Sequence, residues 1–325
     1  MSQTDAKHRL GIFSNPLSGR NKKNVTLIND IRKTHPAILQ HEGHTLKDIQ
    51  TAMAEFARRR VTVIVINGGD GTVQAVLSTL FHHRPFESLP LLAILPSGTS
   101  NLNAGDVGLK GNRSVALHTL LRWANGHDVK PTILTRHILR VHRVPQEDPI
   151  YGMFFGTGAI YQGAQVGWRT KHSVGRLGEV GATLIMARFF LSLLSGRNSP
   201  VKAIDVKLFL DEQPPIVDTF LTILVTTLDR LFLGLRPYWG TEQRPLHYTA
   251  VKTNPRHLPR TLPSLLFGRP HRHGTQEHGY FSQNIEKLEL HMHDGFTVDG
   301  EGYLPDPQQG PVQLADGGIA SFIRF

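Results

Sequence analysis

Three short stretches combine glycine with small polar residues in a way that suits phosphate: Asn15-Pro16-Leu17-Ser18-Gly19, Gly68-Gly69-Asp70-Gly71-Thr72 and Pro96-Ser97-Gly98-Thr99-Ser100-Asn101. The middle one is the most informative. Val61, Val63, Ile64, Val65 and Ile66 form a short apolar run, the pattern of a strand buried on both faces of a parallel sheet. Val73, Val76, Leu77 and Leu80 then recur at helical spacing. The turn between them lies at the start of a helix, where unpaired backbone N–H groups and the helix dipole favour an anion. Glycine lets backbone approach phosphate without a Cβ in the way. Asp70 is the odd member, because a carboxylate beside phosphate repels it unless a cation bridges them, and Mg²⁺ is the expected bridge.

The elements that position these stretches repeat one theme over the first 130 residues. A strand over Leu10 to Ser14 runs into the first loop, and a second strand near Ile38 and Leu39 leads to Thr45, which with Asp48 resembles a capping box. Leu46, Ile49, Met53, Phe56 and Ala57 give the following helix its apolar face. A strand over Leu91 to Leu95 precedes the third loop, and a helix over Ser114 to Ala124 completes the lobe. Alternating strands and helices predict a doubly wound parallel sheet with all three loops on one edge, the edge where such sheets bind ligands. After residue 130 the pattern changes to strand after strand: Thr132 to His142, Tyr151 to Phe155, Val201 to Leu210, Val217 to Thr226 and Ile285 to Met292. The expected organisation is therefore an α/β domain over 1–130 and a β-rich antiparallel domain over 131–325, with the last strands packing back on the first domain. An amphipathic helix over Glu179 to Ser195 interrupts the second domain, and 254–280, rich in Pro, Arg, His and Gly, reads as a surface excursion.

Composition narrows the classes. The chain has 325 residues, 39% hydrophobic and 19% charged, as in a folded globular protein. With no cysteine it has neither disulfides nor thiolate metal sites, and it suits a reducing compartment, expected to be the cytoplasm. Residues 1–13 lack the charged-then-apolar form of a signal peptide. The apolar stretch 181–195 is too short to span a bilayer and contains Arg188. Flanked by Arg169, Lys171 and Arg176, it reads as a packing helix or as one lying on a membrane. A formal charge of +10 calls for an acidic partner, and the scattered Lys and Arg without a zinc-finger, basic-zipper or RNA-binding signature favour a membrane surface over nucleic acid. Oligomeric state stays open, a homodimer being one arrangement.

Gly156-Thr157-Gly158 follows a strand, but Tyr161 stands where a dinucleotide fingerprint needs its third glycine, and no Walker A pattern occurs. His271, His273 and His278, or His291 and His293, invite a metal reading, yet neither group adds a carboxylate at ligand spacing. Asp299-Gly300-Glu301, standing alone, is a solvated acidic turn.

Taken in order, NPLSG at 15–19, GGDGT at 68–72, LPSGTSN at 95–101 and VDGE at 298–301 resemble the diacylglycerol kinase catalytic-domain family, which includes bacterial lipid kinases, sphingosine kinases and ceramide kinases. The resemblance covers nearly the whole chain. A GGDGT-like loop alone is shared with NAD kinases and phosphofructokinases, but these lack the other three motifs together. The resemblance implies a nucleotide-binding α/β lobe of the NAD kinase and diacylglycerol kinase kind, then a β-rich lobe, with the active site in the cleft. It implies ATP and Mg²⁺ as cofactors, with Asn15, Pro16, Ser18, Gly19, Thr45, Gly68, Gly69, Asp70, Gly71, Thr72, Gly98, Thr99 and Asn101 at the nucleotide and Asp70 acting through the metal. Asp299 or Glu301 would supply the base for the acceptor hydroxyl. The implied activity is phosphorylation of a hydroxyl on a diacylglycerol-like or sphingoid-like lipid at the inner face of the membrane. A kinase for a soluble hydroxyl substrate or NAD, and a nucleotide-binding pseudokinase with a lipid-binding or regulatory role, are the alternatives.

Three departures from the family pattern stand out. Gln74 and Ala75 occupy the place of a Glu after GDGT, Leu102 rather than Asp follows Asn101, and LRPYWGTEQRPLHYTAV lacks the DG of a structural metal site. That second metal is expected to be absent or altered, unless Glu242 substitutes.

Overall fold

A computed structural model describes residues 8–22, 26–171, 201–269 and 271–325. The apolar segment 181–195 and the cationic side chains that flank it lie outside the described residues. The chain divides into two compact units, Met1–Arg136 with Gly318–Phe325, and His137–Gly317.

In the first unit β1 (Leu10–Ser14), β2 (Leu39–Glu42), β3 (Val63–Gly68) and β4 (Leu91–Pro96) form a parallel sheet in the order β4-β3-β1-β2. Every residue of β1 and β3 is buried, as their apolar runs require. On one face Leu10, Ile12, Val63, Val65, Ala93 and Leu95 pack in a cluster with Leu27, Ile28 and Ile31 of α1 (Thr26–Thr34) and Leu117, Leu120 and Leu121 of α5 (Arg113–Ala124). The opposite face receives α2 (Leu46–Arg58), whose Phe56 ring lies where a Cβ on Gly11 would be only 3.0 Å away. Burying Phe56 contributes about 1.5–3 kcal/mol. Helices on both faces make the sheet doubly wound, as the alternating pattern predicts. The strand β15 (Val312–Arg324) belongs to this unit from Gly318 onward and pairs parallel to β4 through Phe322 and Leu92.

The second unit is antiparallel and β-rich. Its long strand β9 (Ile216–Thr226) pairs along one edge with β8 (Ile204–Leu210) and β7 (Phe154–Gly158), and along the other with β10 (Leu246–Lys252), which in turn pairs with β11 (Tyr280–Ile285). β12 (Lys287–His291) joins β8 to β15, and β13 (Phe296–Val298) joins β7 to β14 (Glu301–Tyr303). Alternation in β8 buries Ile204, Val206, Leu208 and Leu210 in one cluster with Phe220, Tyr248, Leu290 and Phe296. Among the described residues the unit also holds helices α6 (Ala159–Lys171) and α7 (Leu258–Leu266), and β5 (Thr132–His142), whose later part lies in it, pairs antiparallel with β6 (Ile150–Gly152).

Two expected strands are each split. Residues 151–155 fall into β6 (Ile150–Gly152) and β7, broken at Met153, whose N–H donates to the Asp299 carboxylate instead of to a neighbouring strand. Residues 285–292 fall into β11 and β12, separated at Glu286, whose N–H donates to Asp211 Oδ1. The excursion 254–280 contains α7, which Pro259 and Pro263 obscure in the sequence. Gly156-Thr157-Gly158 lies within β7, and α6 begins at the next residue, Ala159.

Candidate active site

The carboxyl ends of β1, β3 and β4 are neighbours, so the three glycine-containing loops that follow them converge. Their contacts are specific. Asn15 Nδ2 donates to Thr72 Oγ1 at 2.9 Å, and its Oδ1 accepts from Leu17 N at 2.9 Å, which turns the first loop. Ser18 Oγ accepts from Gly69 N at 3.1 Å. Arg20 N donates to Ser97 O at 3.0 Å, and Arg20 Nη1 to Pro96 O at 3.2 Å. A Cβ on Gly98 would lie 2.7 Å from Gly69 Cα, so the close backbone approach of the second and third loops requires glycine at 98. Asn101, at φ 49, closes the third loop on itself, its side chain accepting from Gly98 N at 2.8 Å and donating to Gly98 O at 3.1 Å.

Asp70 opens α3 (Asp70–Ser78), with Gly69 as the N-cap residue and no side chain capping the helix. The first turn therefore presents backbone amides toward its open end, the arrangement that binds phosphate. The Asp70 carboxylate itself turns away to α4 (Leu102–Val107): it accepts from Ser100 Oγ at 2.7 Å, Leu102 N at 3.1 Å and Asn103 N at 3.0 Å. It is only 7% exposed, and burial pushes its carboxyl above the ordinary value against the opposing pull of these bonds. Among the described residues no group of three His, Asp or Glu ligand atoms gathers around it. The loops thus interlock without a protein cage for metal among the described residues, and a Mg²⁺ ion would fit here only as one carried by a nucleotide's phosphates and water. Thr45 lies beyond β2 as the N-cap of α2; its Oγ1 accepts from Asp48 N at 3.2 Å and Asp48 Oδ2 accepts from Thr45 N at 2.9 Å, the capping box that the sequence indicates.

In the second unit Asp299 and Gly300 are the two residues of a tight hairpin between β13 and β14, with Val298 opposite Glu301. Both have positive φ, 48° and 85°, as the two central positions of such a turn require. Asp299 is 1% exposed, and its Oδ1 accepts from Met153 N at 3.1 Å and Phe154 N at 3.0 Å. Asp299 N donates back to Phe154 O at 2.9 Å. Glu301, two residues on, is exposed. Trp168 of α6 clasps the same hairpin through Nε1 to Gly300 O at 3.1 Å. Sequence alone leaves the two carboxylates equivalent; the structure makes Asp299 a buried fastening and Glu301 an accessible group. Glu242 accepts from Asn284 N at 2.8 Å. Burial works to raise its carboxyl, but this bond, further backbone N–H groups and Arg244 prevail and hold it below the usual range.

Residues 9–130 match the family described as the diacylglycerol kinase catalytic domain, a span that takes in all three interlocked loops. This part of the chain is similar to that family. A "Diacylglycerol kinase" of Bacillus subtilis strain 168 is 32% identical over 104 residues, 31% of this chain and 33% of that protein. The "Probable lipid kinase YegS-like" protein of Stenotrophomonas maltophilia strain K279a is 43% identical over 63 residues, 19% of this chain and 20% of that protein. The chain therefore aligns with a third or less of these two relatives. The fold likeness extends further: a crystal structure of a diacylglycerol kinase from Bacillus anthracis strain Sterne superposes with a TM-score of 0.61 at 16% identity, over 97% of this chain and 96% of that one.

Within the catalytic-domain span the structure adds residues that the motif pattern does not reveal. Asn67, just before the glycines, is buried beneath all three loops: its Oδ1 accepts from Ser97 Oγ at 2.6 Å and Arg113 Nη2 at 2.8 Å, and its main-chain O accepts from Asn15 N at 2.9 Å and Asn21 Nδ2 at 3.1 Å. Arg113 arrives from the start of α5 and also donates to Asn21 Oδ1. Burial and the repulsion of nearby Arg20 both lower the Arg113 guanidinium's affinity for its proton, so two cations are crowded beside the interlocked loops. The apolar runs that lead into the glycine motifs are legible strands; a single Asn and an Arg 46 residues later carry no spacing signal.

Proposed function

We propose that this protein is an ATP-dependent lipid kinase that transfers the γ-phosphoryl group to a hydroxyl of a diacylglycerol-like or sphingoid-like lipid. The observation that carries the reading is the interlocking of the three loops at the ends of β1, β3 and β4, inside the span that matches the diacylglycerol kinase catalytic domain. The fit to ATP rests on the uncapped first turn of α3, the backbone approach of Gly69 to Gly98, and the Arg20 and Arg113 cations. ATP, with Mg²⁺ on its phosphates, supplies the transferable phosphoryl group. Asn15, Ser18, Gly69, Thr72 and Thr99 position the nucleotide, while Asp70 acts as a positioning residue that joins the second loop to α4. Glu301, exposed where Asp299 is buried, is the base for the acceptor hydroxyl, and Asp299 fixes the hairpin that carries it. Phosphoryl transfer needs placement and charge neutralisation more than covalent help, and these loops provide both.

The acceptor is reached at an anionic membrane surface. A charge of +10 favours such a surface. In the second unit Leu233 is 73% exposed and Phe267 is 56% exposed, and the segments bearing them are tied by Arg236 N to Leu266 O at 2.8 Å. Arg230, Arg236, Arg260 and Arg269, all exposed, lie on the same segments. Incubation with labelled ATP, Mg²⁺ and either lipid vesicles or water-soluble acceptors including NAD tests the proposal. Labelled phospholipid, with no labelled soluble product, is the expected result; transfer to NAD or another soluble acceptor alone overturns it.

A further inference from the structure

Three imidazoles distant in the sequence converge on the excursion that precedes β11. His257 is the N-cap residue of α7, at φ 59, and His273 and His278 lie on the returning segment that passes through Gly279 into β11. Ring centroids are 4.3 Å apart for His257 and His273, 5.5 Å for His257 and His278, and 5.4 Å for His273 and His278. One ring nitrogen from each lies within 4.8 Å of the other two. The grouping is held from outside the rings: Arg256 N donates to His278 O at 3.0 Å, and Tyr280 Oη to Arg256 O at 2.8 Å, which fixes the chain beside His257 against the chain at His278. Thr275 Oγ1 lies 3.0 Å from His278 Nδ1, the kind of partner that orients a ligating imidazole and leaves its Nε2 for the metal.

We propose that His257, His273 and His278 form a binding site for a divalent transition-metal ion of the Zn²⁺ class, with water completing a tetrahedron. Three neutral imidazoles are a donor set for Zn²⁺, Co²⁺, Ni²⁺ or Cu²⁺, whereas Mg²⁺ prefers oxygen, so the site is chemically separate from any ion carried by ATP. Zn–N bonds of about 2.0–2.1 Å set tetrahedral nitrogens roughly 3.3 Å apart. Side-chain rotation supplies the closure from the present spacing, since His257 is exposed and the other two are half-buried. His273 Nε2 accepts from Arg272 Nε at 3.0 Å, so metal entry either uses the other ring nitrogen or displaces that one bond. The bound ion cross-links the start of α7 to the segment that leads into β11. It thereby fastens the excursion 254–280. Sequence spacing groups His271 with His273 and His278; the fold substitutes His257, which the sequence places 16 residues before His273.

The test is a titration of the full chain, purified without a histidine tag, with Co²⁺ while the visible absorption of tetrahedral Co²⁺ is recorded, followed by displacement with Zn²⁺. One equivalent is expected to bind, and the band is expected to weaken at least tenfold in apparent affinity in His257→Asn, His273→Ala and His278→Ala. Asn tolerates the left-handed backbone at 257, so that variant keeps the fold. His118→Ala and His291→Ala, which alter histidines elsewhere, retain the wild-type titration. Zn²⁺ should also raise the thermal midpoint of the wild-type chain and not of the three variants. Absence of a saturable Co²⁺ band, or equal binding by the wild type and the three variants, overturns the proposal.

Discussion

The two aspartates of the motifs act as fastenings. Asp70 reads in sequence as a partner for a phosphate-bound cation because composition reveals a residue's type and not the direction of its side chain. The direction is set by α4, whose first amides at Leu102 and Asn103 find their acceptor in Asp70. Between about pH 3.9, the ordinary Asp value, and its raised folded value, the folded chain binds a proton that the unfolded chain has released, so this group's contribution to stability falls as pH rises through that window. Asp70→Asn removes the ionisation but leaves one of the two amides without an acceptor, at a cost of about 1–3 kcal/mol. Urea midpoints should therefore lie below wild type at every pH, with the gap narrowing as pH rises. A gap that widens with pH contradicts the burial account. Asn67 and Arg113 were not legible at all, because their importance comes from long-range hydrogen bonds that no spacing rule encodes.

Among the elements, β1, α2, β3, α3 and β4 were readable because burial on both sheet faces gives continuous apolar runs and the intervening helices keep their period. The capping box at Thr45 and Asp48 was readable for the same local reason. Thr45→Ala should cost about 1 kcal/mol and Thr45→Ser should restore it, measured by thermal or urea unfolding. An unchanged midpoint in Thr45→Ala means that the cap does not support α2. The hairpin at Asp299-Gly300 carries the Asp-Gly signal for a two-residue turn, yet its short strands β13 and β14 were invisible to periodicity, which needs more than three residues. The break between β6 and β7 was equally hidden, since the carboxylate that interrupts pairing lies 146 residues away in the chain.

For the whole molecule, bulk composition indicated a folded chain with an acidic partner, and the described residues contain no helix long and apolar enough to cross a membrane. Charge alone could not locate the proposed contact face, which rests on the tie between the Phe232–Gly234 turn and the end of α7. Binding to vesicles containing anionic lipid should be strong at low salt and weaken as screening rises. Leu233→Asp and Phe267→Asp should lower it further in sedimentation assays. Vesicle binding that ignores both salt and these substitutions removes this face from the account.

The central claim is that the catalytic-domain loops serve phosphoryl transfer to lipid with Glu301 as the base. Labelled γ-phosphate transfer from ATP into a lipid extract, run beside Glu301→Gln and Asp299→Asn with thermal midpoints recorded for each, tests it most directly. The account predicts a labelled lipid with the wild type, a loss of about 10²–10⁴-fold in Glu301→Gln at an unchanged midpoint, and a lowered midpoint in Asp299→Asn, where an N–H₂ group replaces the Oδ2 that also accepts from Met153 N. Full labelling by Glu301→Gln, or no labelled lipid from wild-type protein that binds ATP, contradicts it.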